Sequence, residues 1–167
     1  MPQNAPPHYT IPDDIPLAGL ISIVHRMYSI HMDGQAIAPG LKTGQIPFFM
    51  RISREPGITQ DDLAAYYIID KGTVARAARR MEEHGLITRT PDPDNRRKLR
   101  LFLTARGEAA VPRVFATDRD WDKRVLSGLS EEERRNLHAI FQKMAVQSRD
   151  IARGDADNGS EFGTEHR

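Results

Sequence analysis

Seven residues between Lys71 and Arg80 and four between Asn95 and Lys98 are of the types that recognise phosphate and the edges of bases. Arg76, Arg79 and Arg80 carry planar guanidinium forks, which match the paired acceptors of a guanine or a phosphate group. Gly72, Thr73 and Ala75 are small, so the front of a helix that carries them can come close to base edges. Lys71 precedes them, and Asn95-Arg96-Arg97-Lys98 gathers a second cluster of donors beside Pro91 and Pro93. Other chemistries are poorly supplied. The absence of cysteine excludes a disulfide scaffold, a thiolate nucleophile and cysteine-ligated zinc. Ser22, Ser29, Ser53 and Ser148 lack a nucleophile-elbow context, and no glycine-rich phosphate loop is present. His25 and His31 lie six residues apart and do not share the i,i+4 register of two ligands on a helix face. His84, just before Gly85, reads as a charge partner for a helix C-terminus. The expectation is a binding protein rather than an enzyme, without metal or cofactor.

Charge gains meaning only when it is placed. The 167 residues hold 24 basic and 23 acidic side chains, a net charge of +1. Between Lys71 and Arg106, however, ten basic residues face only Glu82, Glu83, Asp92 and Asp94. Such segregation is the electrostatic footprint of a surface that meets phosphate, although a solvated helix face with a charged loop would look the same. With 39% hydrophobic and 28% charged residues the chain reads as globular. No apolar run approaches the roughly 18 residues of a membrane helix, and the N-terminus lacks the pattern of a signal peptide, so a cytoplasmic location is expected.

The elements that must position these residues follow from periodicity. Prolines at 2, 6, 7, 12 and 16 predict an extended arm over residues 1–16. Leu17, Leu20, Ile23, Val24, Met27 and Ile30 predict an amphipathic helix to about Ile37, ended by Pro39-Gly40. A second helix follows Thr43 and carries Ile46, Phe48, Phe49, Met50 and Ile52. Thr59 and Asp62 have the spacing of a capping box for a short third helix through Tyr67. After a turn at Ile68-Ile69, Asp70 caps a fourth helix from Lys71 to His84, with Val74, Ala78 and Met81 facing inward and Gly85 as its stop. The period then becomes two. Leu86–Thr90 and Lys98–Leu103 predict a hairpin with a basic tip, Leu99, Leu101 and Leu103 on one face and Lys98, Arg100 and Phe102 on the other. Thr104 caps a long helix containing Pro112, and Ser130 with Glu133 opens a last amphipathic one. From about Arg153 the chain turns polar, and residues 151–167 are expected to be a disordered tail.

A short helix, a tight turn, a basic helix and a basic hairpin are the order of a winged helix-turn-helix, a mainly α (α+β) fold. In it Thr59 and Gln60 brace the backbone, the helix from Lys71 enters the major groove, and the hairpin reaches the flanking minor groove. Asp70-Lys71-Gly72-Thr73-Val74-Ala75-Arg76, Met81 through Arg89, Asp92 through Arg97 and Leu103 through Gly107 together resemble the MarR family of transcriptional regulators. The resemblance spans roughly Pro16 to Gln147. It implies that Arg97 enters the minor groove and that Arg76 lies in the major groove. It also implies a homodimer on double-stranded DNA. This chain departs from the family pattern at Asn95, where an aspartate usually stands two residues before the wing arginine.

The residues by themselves also favour a homodimer, since the first and the last two helices carry apolar stripes without evident partners in a small winged lobe; packing within one chain is the alternative. Residues 17–40 and 105–150 are therefore read as dimerisation helices around a DNA-binding lobe at 41–104. Many members of the family bind small aromatic anions where these parts meet. Tyr28, His31, Lys42, Phe48 and Phe49 are candidates for such a pocket, the alternative being that the aromatics are core and Lys42 surface. The reading is a sequence-specific regulator, more a repressor than an activator, of palindromic promoter sites. Rival readings are a winged-helix protein-interaction module and a non-specific architectural DNA binder.

Overall fold

The computed structural model describes residues 10–161, and the helix boundaries within them rest largely on short polar side chains. The order is α1 (Leu17–Gly34), a 3-10 turn (Thr43–Gln45), α2 (Ile46–Arg54), α3 (Gln60–Tyr67), α4 (Lys71–Glu83), β1 (Ile87–Pro91), β2 (Leu99–Leu103), α5 (Ala105–Val125) and α6 (Glu131–Glu161). At α3 the Thr59 hydroxyl accepts the Asp62 N–H at 3.1 Å, while the Asp62 carboxylate accepts the Thr59 N–H at 3.3 Å. Asp70 accepts the Thr73 N–H at 2.8 Å, which starts α4. Ser130 and Glu133 form a reciprocal box at α6. Gly85 has φ +67°, a conformation that ends α4 without the cost a side chain would bring. Between α3 and α4 the corresponding turn uses Ile68 at φ 53°, a strained position for a β-branched residue.

The hairpin is not isolated. β1 and β2 pair antiparallel, with Ile87 opposite Leu103 and Arg89 opposite Leu101. On its other edge β2 meets the segment before α3: the Gly57 N–H donates to the Leu101 carbonyl at 2.8 Å, and the Leu101 N–H donates to Ile58 at 3.0 Å. Three extended segments therefore share the wing's base. Phe49, Ile52, Leu63, Val74, Met81, Leu86, Ile87, Leu101 and Val114 are fully buried beneath it, with contributions from α2, α3, α4, α5 and both strands. One core thus holds the helix-turn-helix and the wing as a unit.

Two details differ from the sequence reading. α1 ends at Gly34, before Ile37, and the buried Ile37 and Ala38 follow as non-helical chain because Ala36 takes a positive φ of 44°. Phe102 shares the face of Arg100, opposite Leu101, as the alternation predicts; there it lies over Gly57, where its ring would be 3.2 Å from an added Cβ, and lines a cavity with Ile52, Pro56 and Pro112. α6 continues to Glu161, past the point where a disordered tail was expected, although Gly154 and Gly159 lower the helix propensity of that stretch. The first nine residues of the arm and residues 162–167 lie outside the described residues.

α1 packs on α5. Tyr28 donates to Asp118 at 2.7 Å, and the Tyr28 and His31 rings stand 5.8 and 5.5 Å from that of Trp121. Met32 at the end of α1 is buried in the core, but another face of the helix is bare: Leu17, Val24, Met27 and Ile30 are 44–58% exposed, and Ile140, Phe141, Val146 and Ile151 on α6 are similarly open. None of the described helices is long and apolar enough to cross a membrane.

Close approach at the start of α5 gives a direct test of this packing. Gly107 is buried, and a Cβ there would sit 2.1 Å from the Leu86 carbonyl oxygen and 3.3 Å from the Leu103 Cβ. Backbone cannot yield as a side chain does, so Gly107→Ala is expected to cost about 1–3 kcal/mol. Urea unfolding at a fixed protein concentration measures it, and an unchanged midpoint would contradict the packing.

Candidate nucleic-acid interface

α4 presents its polar side outward because Val74, Ala78 and Met81 anchor the other side in the core. Arg76, Arg79 and Arg80 are exposed, as are Lys71 and Gly72, while Thr73 and Ala75 are half-buried. Lys71 is not free: its ammonium lies 3.0 Å from Asp61, an ion pair between α3 and α4. At the front of the helix a chain of bonds orders the polar groups. Arg76 donates to the Thr73 hydroxyl at 2.8 Å, and that hydroxyl donates to Asp70. The hydroxyl and N–H of Thr73 hold the Asp70 carboxyl below its usual range. Arg76 therefore approaches a ligand with its fork already oriented from one side, which reduces the rotamer freedom lost on binding.

Thr59 and Gln60, read as a brace, are turned inward. The Thr59 side chain is 6% exposed and committed to the cap of α3. The Gln60 Nε2 is buried and without a hydrogen-bond partner among the described residues. Thr59 fixes the start of α3 through its bonds with Asp62, and Gln60 makes no such bond among the described residues.

The wing tip is organised by a residue that charge counting assigns to the opposing side. Asp92 is 7% exposed at the neck of the hairpin. Its Oδ1 accepts the N–H groups of Asp94 at 2.8 Å and Asn95 at 3.1 Å, and its Oδ2 accepts from Arg100 Nε at 2.6 Å. The Arg100 guanidinium, followed by these backbone donors, holds the Asp92 carboxyl below the usual carboxylate range. Beyond this clamp, Asn95 Oδ1 accepts the Arg97 N–H at 3.2 Å and the Asn95 carbonyl accepts from Lys98 at 2.8 Å. A carboxamide oxygen thus takes the acceptor position in the turn, so Asn95 still braces the loop without a charge. Arg96 and Arg97 are exposed and Lys98 half-exposed. On the strands, Arg89 pairs with Glu82, whose carboxyl is lowered by that bond.

The five residues proposed for an anion pocket are not brought together. Phe49 is wholly buried in the core, and the Phe48 ring packs against Tyr67 with centroids 5.2 Å apart. Tyr28 and His31 face α5, where Asp118 accepts from Tyr28 and Asp120 lies 3.8 Å from His31. Burial and the Asp118 bond raise the Tyr28 phenol above its usual range. A carboxylate would meet these aspartates, so the setting disfavours the expected ligand. Lys42 is elsewhere, in a cleft beside α4 with Gly44, Arg76, Arg79 and Arg80. Among the described residues no group of three or more His, Asp or Glu side chains could hold a metal ion.

Sequence reasoning missed Asp92, Arg100, Asp61 and the ordering role of Asp70. A signal for the first was available: an aspartate ahead of a proline in a turn commonly accepts backbone N–H groups two and three residues on.

The clamp predicts a pH response of known sign. The lowered pKa of Asp92 means that its contribution is complete above the ordinary carboxylate range and is lost as pH falls through the depressed value. Asp92→Ala should speed hydrogen exchange at the Asp94 and Asn95 amides at neutral pH, and acidification should bring the wild-type protein toward the variant. Equal exchange in both proteins at neutral pH would show that Asp92 does not order the wing.

Comparison with known proteins agrees with this geometry. The sequence model of the MarR family matches residues 44–99, from the 3-10 turn to the start of β2. The HTH-type transcriptional regulator BilQ of Clostridium symbiosum is 33% identical over 123 residues, 74% of this chain and 85% of the relative. An HTH-type transcriptional repressor of Mycobacterium tuberculosis is 26% identical over 132 residues, 79% of this chain and 95% of its own length. A crystal structure of MarR superposes with a TM-score of 0.81 at 36% identity, covering 88% of this chain and 99% of that one.

Proposed function

This chain belongs to the MarR family of DNA-binding transcriptional regulators, and we propose that it acts as a dimeric repressor on pseudo-palindromic promoter DNA. The observation that carries this reading is the pair of unneutralised basic projections. Arg76, Arg79 and Arg80 on α4 and Arg96, Arg97 and Lys98 on the wing form no ion pair among the described residues. α4 is the element sized for the major groove, with Arg76 as its base reader, and Arg97 at the wing tip reaches the adjacent minor groove. Phosphate contacts supply most of the affinity, and α4 supplies the choice of sequence.

Support for the dimer comes from the bare faces of α1 and α6. They border a cleft of about 640 Å³ lined by Leu17, Leu20, Val24, Trp121, Val125 and Phe141 among others. A second copy related by a two-fold axis covers these faces and sets two α4 helices about one DNA turn apart, which is why the operator is a pseudo-palindrome. Repression is the activity named for the mycobacterial relative, and a dimer seated across a promoter blocks it by occupancy.

Fluorescence anisotropy against duplexes from beside the protein's own coding region, with scrambled controls, tests the reading. One fragment should be preferred by about 10³-fold or more, with a steep salt dependence. Arg97→Ala should weaken binding and flatten that dependence, and Arg76→Lys should relax base preference. Equal binding to every fragment would favour an architectural role, and no binding at low salt would favour a protein partner. For the dimer, Val24→Glu places a charge on a half-exposed site outside the lobe core. Sedimentation should then give a monomer with greatly reduced DNA affinity, whereas an unchanged dimer would exclude α1 from the interface.

A further inference from the structure

A second basic feature runs along one side of α4 and joins it to a turn that belongs to neither the helix-turn-helix nor the wing. The stripe Thr73, Arg76, Ala77 and Arg80, at i, i+3, i+4 and i+7, forms one wall of an open cleft of about 530 Å³. Lys42, Gly44 and Gln45, from the connection between α1 and α2, form the other wall. Lys42, Arg76, Arg79 and Arg80 surround the cleft against a single acid, Glu83, and none of the four cations forms an ion pair among the described residues. Four cationic side chains lining one solvent-open space, with Asp70 near Arg76 and Glu82 near Arg79 as the other acids at hand, leave a net positive seat for an anion.

The position of Lys42 is built, not incidental. Gln45 is 6% exposed; its Nε2 donates to the Ala77 carbonyl of α4 at 3.4 Å, and its Oε1 accepts the Lys42 N–H at 2.9 Å. Thr43, also buried, ties the same turn to α1 through Asp33, whose Oδ1 accepts both the Thr43 N–H at 3.0 Å and its hydroxyl at 2.9 Å. The backbone that carries Lys42 is therefore pinned beside α4, while its side chain stays exposed. A helix lying in a groove about 12 Å wide is flanked by the sugar-phosphate strands, so a cation set beside the helix meets a groove wall and not a base edge. Lysine is also suited to that place, because its ammonium is a point charge without the fork that reads a base.

We propose that this cleft seats a DNA backbone phosphate, with Lys42 as a non-specific clamp in each protomer; the inference rests on the DNA-binding reading above. It removes Lys42 from the ligand pocket that its neighbourhood in sequence suggests. It also gives the turn before α2 a part in docking that the helix-turn-helix motif does not include.

The test compares wild-type protein, Lys42→Gln and Lys42→Arg on the preferred duplex and a scrambled one over a series of salt concentrations. Losing one phosphate contact per protomer should lower the slope of log affinity against log salt by about two for the dimer. Lys42→Gln should weaken both duplexes by the same factor and leave their ratio unchanged, and Lys42→Arg should restore the slope. An unchanged slope in Lys42→Gln, with the wild type binding normally, would overturn the proposal and leave the function intact. A loss confined to the preferred duplex would overturn it as well, by making Lys42 a base reader. Failure of the wild type to bind any duplex would remove the underlying reading and the proposal with it.

Discussion

The rest of the lobe depends on how Leu101 is held. Its N–H and carbonyl bond to the chain at Ile58 and Gly57, and its side chain is completely buried. Slipping the hairpin by one residue would turn Leu101 out of the core and break both bonds, so the register of β2 is strongly specified. That register fixes the length of hairpin beyond the core and hence the place of Arg97. The same segment leads directly into Thr59 and the cap of α3. Wing and helix-turn-helix are thus set against each other by backbone bonds across a shared apolar core, not by the flexible basic side chains that they present.

Charge pairing then decides which of the basic residues remain available. Lys71, Arg89 and Arg100 face Asp61, Glu82 and Asp92, so three of the ten positive charges in the block from Lys71 to Arg106 serve the architecture. The Arg100 pair is the most consequential, because Asp92 also accepts two backbone N–H groups of the turn. Salt bridges at exposed sites contribute little stability, but a carboxylate with several directed donors fixes geometry. What is left unpaired is concentrated at the front and flank of α4 and at the wing tip.

The relation between α1 and the lobe has a different character. Apolar contacts are non-directional and permit small slides, whereas Thr43 and Gln45 are buried polar groups whose bonds have defined directions. Thr43 reaches Ser29 and Asp33 on α1, and Gln45 reaches Ala77 on α4. The turn before α2 therefore orients the N-terminal helix relative to α4. Together with Tyr28, Trp121 and Asp118 between α1 and α5, it gives the two bare apolar faces a fixed bearing toward the basic surface.

The helices, the hairpin, the fold and the family were legible in the sequence because each depends on local information. Thr59 with Asp62, Asp70, Ser130 with Glu133, and Gly85 act within a few residues of where they stand, and a change of hydrophobic period from 3.6 to 2 marks the wing without reference to anything distant. The end of α1 was misplaced because Ala36 adopts a positive φ that composition does not announce. What Phe102 packs against was not legible, because the glycine that makes room for it is 45 positions away. The ligand candidates are dispersed for the same reason: Tyr28, His31, Lys42, Phe48 and Phe49 are near in sequence, yet helix geometry and long-range packing send them to α5, to α4, to Tyr67 and to the core. The sequence by itself determined the elements, their order and the kind of partner, since capping, periodicity and charge are properties of neighbouring residues. Only the tertiary structure decided which cations stay unpaired, which carboxylate orders the wing and where Lys42 stands. Those outcomes depend on contacts between residues far apart in the chain, and a hydrogen bond or ion pair forms only when folding brings both partners within about 3 Å.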